Sequence, residues 1–233
     1  MIEHHPHLEI LRQFVDRSLP VSISVIVSAH VELCSQCQRT VEYLTKFAAL
    51  EAFELLEDNI SNVDDIIMSE SSENGLLEEI QSNLMNSISN ESVAQHADRT
   101  KDTSEIDVAG QRIVLPKVLM SIALKEWKSF GKISRARLQL NDGKRRTSLL
   151  RIDKGGCIPS HSHCGFEITL PLHGRFDDEM GHYGVGDFIW LNTDHTHAPQ
   201  TSEGCLCLTV SDDALRFRQG VSQLINPLGK LIY

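Results

Sequence analysis

The segment His30-Val-Glu-Leu-Cys34-Ser-Gln-Cys37 places a histidine four residues before a Cys-x-x-Cys pair. Residues four apart on an α-helix lie on one face, so His30 and Cys34 can share a site, and Cys37 can follow from the next turn or from the start of another helix. Imidazole and thiolate ligands favour zinc over magnesium or calcium. The segment therefore predicts a zinc site with three ligands here and a fourth from elsewhere in the chain.

An N-terminal histidine cluster offers three candidates for the fourth ligand: His4, His5 and His7. Four protein ligands would leave no open coordination position, so we expect a structural and not a catalytic zinc. The competing interpretation is that Cys34 and Cys37 are small buried side chains without a metal.

Apolar spacing predicts a helical N-terminal domain around this segment. Residues 21–28 are rich in β-branched side chains and have strand propensity, but they follow Pro20 and lead without a turn into the His30 segment, which favours a helix. Three more helices are predicted: one through Leu8, Leu11, Phe14 and Val15, one over residues 38–57, and one through Leu76, Leu77, Ile80, Leu84 and Ile88. The polar residues 58–74 are expected to form a loop.

The charge distribution separates two halves of the chain. The 233 residues carry a net charge of −10; residues 1–109 contain 6 Lys and Arg against 20 Asp and Glu, whereas residues 110–233 contain 16 against 12. An acidic first half is a poor nucleic-acid binder and suits a basic protein surface, although acidic residues also serve solubility alone. We expect a protein partner and no direct nucleic-acid contact.

No apolar run approaches the roughly 20 residues that span a bilayer, and the N-terminus lacks the basic and apolar regions of a signal peptide. We therefore expect a cytoplasmic protein without a membrane contact. Its six cysteines are expected to be ligands or free thiols and not a disulfide framework.

After a polar stretch at residues 86–110, which reads as a linker, short strands replace the helical pattern. Residues 136–140 and 147–152 alternate in polarity around the turn Asn141-Asp-Gly143, which predicts a hairpin. Further short apolar runs lie at residues 166–170, 187–191 and 205–210. The spacing indicates an all-β sandwich or barrel.

This half contains a second ligand-rich run: Gly155-x5-His161-x-His163-x3-Glu167-x6-Gly174. On a strand, His161 and His163 point to one face and Glu167 is in phase with them. A later histidine, His195 or His197, would complete a three-histidine, one-carboxylate site for zinc, iron, manganese or nickel. The competing interpretation is a row of polar residues on a strand surface.

The His-x-His-x3-Glu-x6-Gly run resembles the first signature of the cupin barrel. Together with the His-x3-Cys-x2-Cys segment, it resembles the ChrR-type anti-sigma factors, in which a zinc-binding anti-sigma domain precedes a cupin-like domain. The resemblance covers about residues 4–57 and 113–217. It implies a zinc-stapled bundle of about four helices in residues 1–88, a linker in 89–110, and an all-β cupin (double-stranded β-helix, or jelly-roll) barrel in 111–233.

The resemblance also implies two ligand sets. The first, for zinc, is His5, His30, Cys34 and Cys37. The second, for zinc or another divalent transition metal, is His161, His163, Glu167 and His197. His197 is preferred to His195 for its His-x-Pro context, although Gly184 and Gly186 replace the usual Pro-x-Gly turn of the second cupin motif.

The implied function is that of an anti-sigma factor, not an enzyme. Its helical domain would bind a sigma factor of the extracytoplasmic-function type, and its cupin-like domain would be required for release on an oxidative signal such as singlet oxygen. The alternative is a metal-dependent cupin oxygenase or isomerase with a helical regulatory domain; its further active-site candidates are Arg151, His173 and His182. Oxidation of thiols beside the cupin metal is a conceivable trigger, and the candidates are Cys157, Cys164, Cys205 and Cys207.

Overall fold

The fold was analysed in a computed structural model, which describes residues 2–63, 105–108, 110–213 and 215–217. The helices in these ranges are α1 (Leu8–Val15), α2 (Val21–Leu33), α3 (Ser35–Val63) and the short α4 (Lys117–Met120). A β-rich, cupin-like region follows the N-terminal helices, so the predicted fold class is confirmed. The chain divides into one compact unit of Met1–Ala48 with Ser104–Tyr233 and another of Ala49–Thr103.

Residues 21–28 form helix α2 in spite of their strand propensity. This is the helix that the sequence predicts. Pro20 is its N-cap (φ −54°, ψ 149°), and the helix stops at Cys34, whose backbone is extended (φ −110°, ψ 104°). Helix α3 then begins at Ser35. His30 therefore lies in the last turn of α2, Cys34 at the junction and Cys37 in the first turn of α3. The prediction that His30 and Cys34 share one helix is wrong, because α2 ends one residue before Cys34.

Two other boundaries differ from the sequence prediction. Helix α3 continues to Val63, so the loop predicted from residue 58 is wrong over residues 58–63. The end of the predicted linker forms strand β1 (Glu105–Val108), because Ile106 and the buried Val108 alternate with polar neighbours. The predicted helix at residues 76–88 lies outside the described residues. Within them, no helix is both long and apolar enough to cross a membrane.

Fourteen more strands follow β1 in the described part of the chain. They are β2 (Gln111–Val114), β3 (Lys128–Phe130), β4 (Ile133–Arg137), β5 (Arg146–Ile152), β6 (Gly156–Cys157), β7 (His161–His163), β8 (Glu167–Gly174), β9 (Phe176–Asp177), β10 (His182–Tyr183), β11 (Ile189–Leu191), β12 (Thr196–His197), β13 (Gln200–Thr201), β14 (Cys205–Ser211) and β15 (Leu215–Phe217). The pairing orders are β1-β2, β11-β8-β14-β5-β4-β3, β10-β9-β13-β6 and β12-β7-β15, and every pair is antiparallel.

The central strands of the six-stranded sheet are buried on both faces. All seven residues of β14 are buried, and they alternate between two clusters: Cys205 and Cys207 pack inside the barrel, whereas Leu206 and Leu208 pack on the outer face. Strand β5 divides in the same way. A period of two with both faces apolar is the pattern of a sheet covered on each side.

Helix α2 covers the outer face of this sheet. Its apolar residues lie all round the helix, and Ile26, Val27 and Ala29 are 0% exposed. They belong to the same hydrophobic cluster as Leu170 and Leu208 of the sheet. A helix that is apolar all round needs to be enclosed, and here the barrel supplies one of the enclosing surfaces.

Helix α2 is also capped by the barrel. Pro20 makes no side-chain cap bond, and Asp142, in the hairpin turn between β4 and β5, instead accepts hydrogen bonds from the Ser22 backbone N–H (3.0 Å) and the Ser22 hydroxyl. In return, Glu32 in the last turn of α2 accepts a hydrogen bond from the Lys117 N–H at the start of α4 (2.8 Å). Helix ends leave backbone groups unpaired, so these bonds tie α2 to the β-rich region at both ends.

Replacing Asp142 by Ala is expected to lower the free energy of unfolding by about 1 to 2 kcal/mol, because it removes the cap of α2. Burial alone would raise the pKa of Asp142, but the Ser22 hydrogen bonds and Arg145 outweigh it, and the pKa lies below its ordinary value. Since the folded-state pKa is lowered, the stabilisation is complete above about pH 4 and is lost as the pH falls further.

Urea unfolding at pH 7 and at pH 3 measures both effects. The control is Glu203→Ala, which breaks an exposed ion pair: the Arg175 side chain is 60% exposed and the Glu203 side chain 57%. This substitution should lower the free energy of unfolding by less than about 1 kcal/mol. An Asp142→Ala chain as stable as the parent at pH 7 would contradict the capping role.

Candidate metal centres

Four side chains near the N-terminus form a compact ligand set. One ligand atom from each of His5, His30, Cys34 and Cys37 lies within 4.8 Å of the other three. The His5 Nδ1 atom is 3.4 Å from the Cys34 sulfur and 3.5 Å from the Cys37 sulfur. His30, Cys34 and Cys37 are buried. The site is the junction of α2, α3 and the extended N-terminal segment.

The orientation of His30 points its free nitrogen into this set. The His30 Nδ1 atom is 2.7 Å from the Gly186 carbonyl oxygen, and we take Nδ1 as the protonated donor. The His30 Nε2 atom is buried and has no hydrogen-bond partner. A histidine that donates one ring N–H to a carbonyl and leaves the other nitrogen free is oriented as a metal ligand. The residues therefore fit a bound zinc.

The electrostatics of this set favour a cation. Burial, with a smaller contribution from His5, lowers the pKa of His30 to about 4, so its imidazole is neutral. Burial, together with the Cys34 thiol, raises the pKa of Cys37 to about 12. A divalent cation would reverse the second shift, since thiolates bind metal only after losing a proton. The Cys37 N–H also points at the Cys34 sulfur (3.5 Å).

The other two N-terminal histidines have separate contacts. His7 is the N-cap of α1, and its Nδ1 accepts a hydrogen bond from the Glu9 N–H (3.3 Å). The His4 ring faces Tyr183, with 5.0 Å between ring centroids, and its Nδ1 is 3.5 Å from Asp187. Of the three candidates for the fourth ligand, the structure thus brings His5 alone into the set.

The second ligand set lies inside the barrel. The His197 Nε2 atom is 3.1 Å from that of His161 and 3.2 Å from that of His163, and a Glu167 carboxylate oxygen is 3.3 Å from the His163 Nε2. All four residues are buried. Three ring nitrogens and a carboxylate that face one point are a ligand set for a divalent transition metal.

The strands that supply these ligands differ from the prediction in one respect. His161 and His163 share strand β7, and His197 pairs directly with His161 from β12. Glu167 is the first residue of β8, after a turn, so the prediction that one strand carries all three first-motif ligands is wrong. The turn contains Gly165. A Cβ atom at this position would collide with the Asp212 carboxylate, so glycine permits the turn to lie this close to Asp212.

Outer hydrogen bonds orient two of the barrel histidines. The His161 Nδ1 lies 2.9 Å from the Pro159 carbonyl oxygen, and the His197 Nδ1 lies 3.1 Å from an Asp178 carboxylate oxygen. Both bonds leave Nε2 as the ligand atom. Burial, aided by the neighbouring imidazoles, lowers the pKa of His161 to about 4 and of His163 to about 3. Burial raises the pKa of Glu167. A metal cation would favour the ionised carboxylate.

The rival second-motif histidine is outside the set. The His195 Nδ1 is 2.7 Å from the Asn192 side-chain oxygen, in a turn at the barrel surface. Three residues that support the ligand sets from outside were not predicted as such from the sequence: Asp178 and Gly186, which contact ligands, and Asp187, which binds the backbone next to His5. The Gly184-x-Gly186-Asp187 turn was visible as a departure from the cupin motif, but nothing local to it indicates that it contacts the N-terminus.

The space beside the barrel ligands is small. A cavity of about 20 Å³ is lined by Glu167, His161 and His197 with apolar neighbours and the Cys207 side chain. Pockets for organic ligands hold about 300–1,000 Å³, so this cavity is far smaller than they are.

The extra candidates for an enzyme active site lie elsewhere. Arg151 pairs with Asp153 (2.9 Å) and lines, with His173, a separate depression of about 320 Å³. The side chain of His182 is 88% exposed and contacts Asp177. None of these three lines the cavity beside the barrel ligands.

The four cysteines of the β-rich region are all free thiols. Cys205 and Cys207 lie on the inner face of β14 and are buried, whereas Cys157 is exposed and Cys164 is half-buried. The hydrogen bond with the Cys205 side chain, together with burial, raises the pKa of Cys207, so it is protonated. Cys207 alone of the four lines the small cavity.

Fold and sites together define a class: a helical segment with a Cys/His metal-ligand set, followed by a cupin-like barrel with a His/Glu set. Residues 116–214 match the family described as the ChrR cupin-like domain. The whole chain is similar to the anti-sigma-E factor ChrR of Cereibacter sphaeroides, with 27% identity over 99% of each chain. The resemblance to the ChrR-type anti-sigma factors is thus confirmed.

One solved structure supports the fold along most of the chain. The crystal structure of Rhodobacter sphaeroides SigE in complex with the anti-sigma ChrR matches with a TM-score of 0.58 and 24% identity, covering 91% of this chain and 100% of that chain. An acetylacetone dioxygenase from Acinetobacter johnsonii matches over 46% of this chain and 76% of its own, with 14% identity and a TM-score of 0.37. That value is too low to bear on activity.

The N-terminal set can be tested by substitution. The Cys37→Ser chain and the His5→Ala chain are each expected to lose the N-terminal zinc, one of about two metal ions per chain, because each lacks one of its four ligands. Elemental analysis of the purified protein measures the loss. The matched control is His7→Ala, which removes a neighbouring histidine that caps α1. Full zinc content in the His5→Ala chain would contradict the assignment.

The barrel set has its own matched pair of histidines. We expect His197→Ala to lower the affinity of the barrel for its metal at least tenfold, since it removes a ligand together with the hydrogen bond of that ligand to Asp178. His195→Ala, two residues away, should leave the metal content at the parent value. Equal effects of the two substitutions would mean that the second motif supplies its ligand differently.

Proposed function

We propose that this chain is a zinc-dependent anti-sigma factor. Its N-terminal segment binds an extracytoplasmic-function type sigma factor in the cytoplasm, and its cupin-like barrel is required for release of that sigma factor on an oxidative signal such as singlet oxygen. It has no catalytic residues in this proposal. The observation that carries it is the enclosed His5, His30, Cys34 and Cys37 set in a chain similar to ChrR along its whole length.

Zinc in that set would act through folding and not through chemistry. The four residues come from three separate segments, so a zinc ion bound to them staples the N-terminal segment to both helices. Zinc binding to small structural sites is worth about 10 kcal/mol or more at pH 7. Removing the metal would therefore disorganise the surface formed by α2 and α3, and with it any interface built on that surface.

Helix α3 supports a protein-binding role. Tyr43 and Phe47, one helical turn apart, are 66% and 51% exposed and form an apolar stripe. Glu42 and Glu51 lie on the same helix, within the acidic first half of the chain. An apolar stripe with an acidic surround suits a basic partner, since apolar contacts supply affinity and charge steers the encounter.

The barrel supports a sensing role better than an enzymatic one. Its cavity of about 20 Å³ is far smaller than the pockets that hold organic ligands, and Arg151, His173 and His182 do not line it. A small oxidant fits the volume and would meet both the metal and the Cys207 thiol there. We propose zinc or another divalent transition metal for this set. The alternative of a cupin oxygenase or isomerase requires an opening of the barrel.

The test uses the full-length chain and a co-expressed sigma factor of the extracytoplasmic-function type. The parent chain should bind that sigma factor and stop transcription by its RNA polymerase holoenzyme. The Cys37→Ser chain should lose binding and zinc together, because the surface depends on the metal. In excess zinc, which keeps the N-terminal set occupied, the Glu167→Ala chain should bind normally but fail to release the sigma factor after exposure to singlet oxygen.

Each outcome separates one half of the proposal from the other. Inhibition by a zinc-free Cys37→Ser chain would overturn the structural role of zinc. Normal release from the Glu167→Ala chain would remove the barrel metal from the response. Turnover of a small organic substrate by the parent chain, lost in the Glu167→Ala chain, would favour the enzyme alternative.

A further inference from the structure

One loop of the barrel touches the surroundings of both ligand sets. This bridging loop, residues 183–188, begins at Tyr183, the last residue of β10, and leads to β11. On one side it meets the N-terminal segment that carries His5; on the other, its first residue, Tyr183, contacts Asp178, which holds His197. The sequence separates the two ligand sets by more than a hundred residues, so the loop is the place where they come together.

On the N-terminal side, Asp187 is the main anchor. One of its carboxylate oxygens accepts hydrogen bonds from the backbone N–H groups of Glu3 (2.8 Å) and His4 (3.0 Å), and the other accepts one from the Gly184 N–H (2.8 Å). The Phe188 N–H donates to the His4 carbonyl oxygen (3.0 Å). The residue that follows this clamp is His5, so the clamp sets the position of a ligand.

The loop also holds the second histidine of the N-terminal set. The Gly186 carbonyl oxygen is the partner of the His30 Nδ1 atom, at 2.7 Å. Gly186 has φ +92°, and a Cβ atom there would collide with the Ile2 side chain, so only glycine permits this approach. Both imidazole ligands of the N-terminal set are thus held by a loop of the barrel.

On the barrel side, the contacts run through Tyr183. Its ring packs edge-on against the His4 ring, with 5.0 Å between centroids. Its phenol hydroxyl lies beside Gly181, whose N–H donates to an Asp178 carboxylate oxygen (3.1 Å), and burial and the Asp178 charge raise the pKa of Tyr183 to about 12. That carboxylate is the partner of the His197 Nδ1 atom, at 3.1 Å. An unbroken path of contacts therefore leads from a barrel ligand to the residue beside His5.

We propose that the bridging loop couples the two metal centres, with Asp187 and Tyr183 as positioning residues for metal ligands they do not themselves supply. Loss of metal from the barrel releases His197, weakens the hold of Asp178 on Tyr183, and lets the loop shift away from His4 and His30. The N-terminal set then binds its metal less tightly. This inference rests on the metal sites of the proposed function but not on the sigma factor.

The first test measures the N-terminal set alone. Co²⁺ is added to metal-free full-length protein, and the thiolate-to-cobalt charge-transfer band is followed, since only the N-terminal set has sulfur ligands. Asp187→Ala is expected to weaken Co²⁺ binding about 10- to 100-fold, the usual effect of removing an outer partner of a metal ligand. Asp187→Asn should fall between, because its amide oxygen still accepts from Glu3 and His4.

The matched control is Asp142→Ala. It also removes a barrel carboxylate that accepts a backbone N–H from the N-terminal segment, but at the far end of α2 from His30. Its Co²⁺ affinity should equal that of the parent chain at a temperature where both are folded. If Asp142→Ala and Asp187→Ala weakened binding equally, the effect would be general destabilisation and the positioning role would be overturned.

The second test measures the coupling itself. The barrel is deprived of metal by a His161→Ala, Glu167→Ala double substitution, which leaves His197, Asp178 and Tyr183 themselves unsubstituted. This change should weaken Co²⁺ binding at the N-terminal set about fivefold or more in the parent background, but less than about twofold in a Tyr183→Phe background. Equal losses in both backgrounds, or no loss in either, would overturn the coupling. No sigma factor is present, so neither result depends on partner binding.

Discussion

The hydrogen bond between His30 and the Gly186 carbonyl oxygen is the contact on which the arrangement of the protein depends. At 2.7 Å it fixes a ligand of the N-terminal set against a loop of the barrel. It exists only because Gly186 has no side chain, and it leaves the second nitrogen of His30 buried without a partner. A buried imidazole nitrogen that lacks a partner is costly, and a metal ion bound to the set would satisfy it.

This contact explains why the helical segment and the barrel form one compact unit. The apolar faces of α2 and the six-stranded sheet share a hydrophobic cluster, and polar contacts fix the register between them: Asp142 at the start of α2, Glu32 near its end, and Asp187 at the N-terminal segment. Apolar packing is not directional, whereas these bonds have one geometry each. Together they define a single position of the segment on the barrel.

The sequence predicted well what depends on spacing. The two ligand motifs, the helical identity of α2 and the alternation of β14 all follow from local periodicity, and the His197 preference agrees with the ligand cluster. It failed where contacts are distant in the chain. In the sequence, Asp142 looks like an ordinary hairpin residue and Asp187 like part of a turn. Their roles are hidden because they accept hydrogen bonds from the N–H groups of Ser22 and Glu3, which are 120 or more positions away. The junction at Cys34 likewise depends on the ligand cluster and not on helix propensity.

The apolar circumference of α2 has a consequence for any motion of the protein. Ile26, Val27 and Ala29 have no solvent-exposed surface, and their covering includes the outer face of the barrel. Lifting the helix away would expose the apolar surfaces of both α2 and the barrel. The free-energy cost would be roughly 25 cal/mol for each Å² of apolar surface exposed. Small displacements of the bridging loop are therefore far cheaper than separation, so information can pass between the two parts while they remain in contact. We therefore expect the bridging loop to shift while α2 stays packed on the barrel.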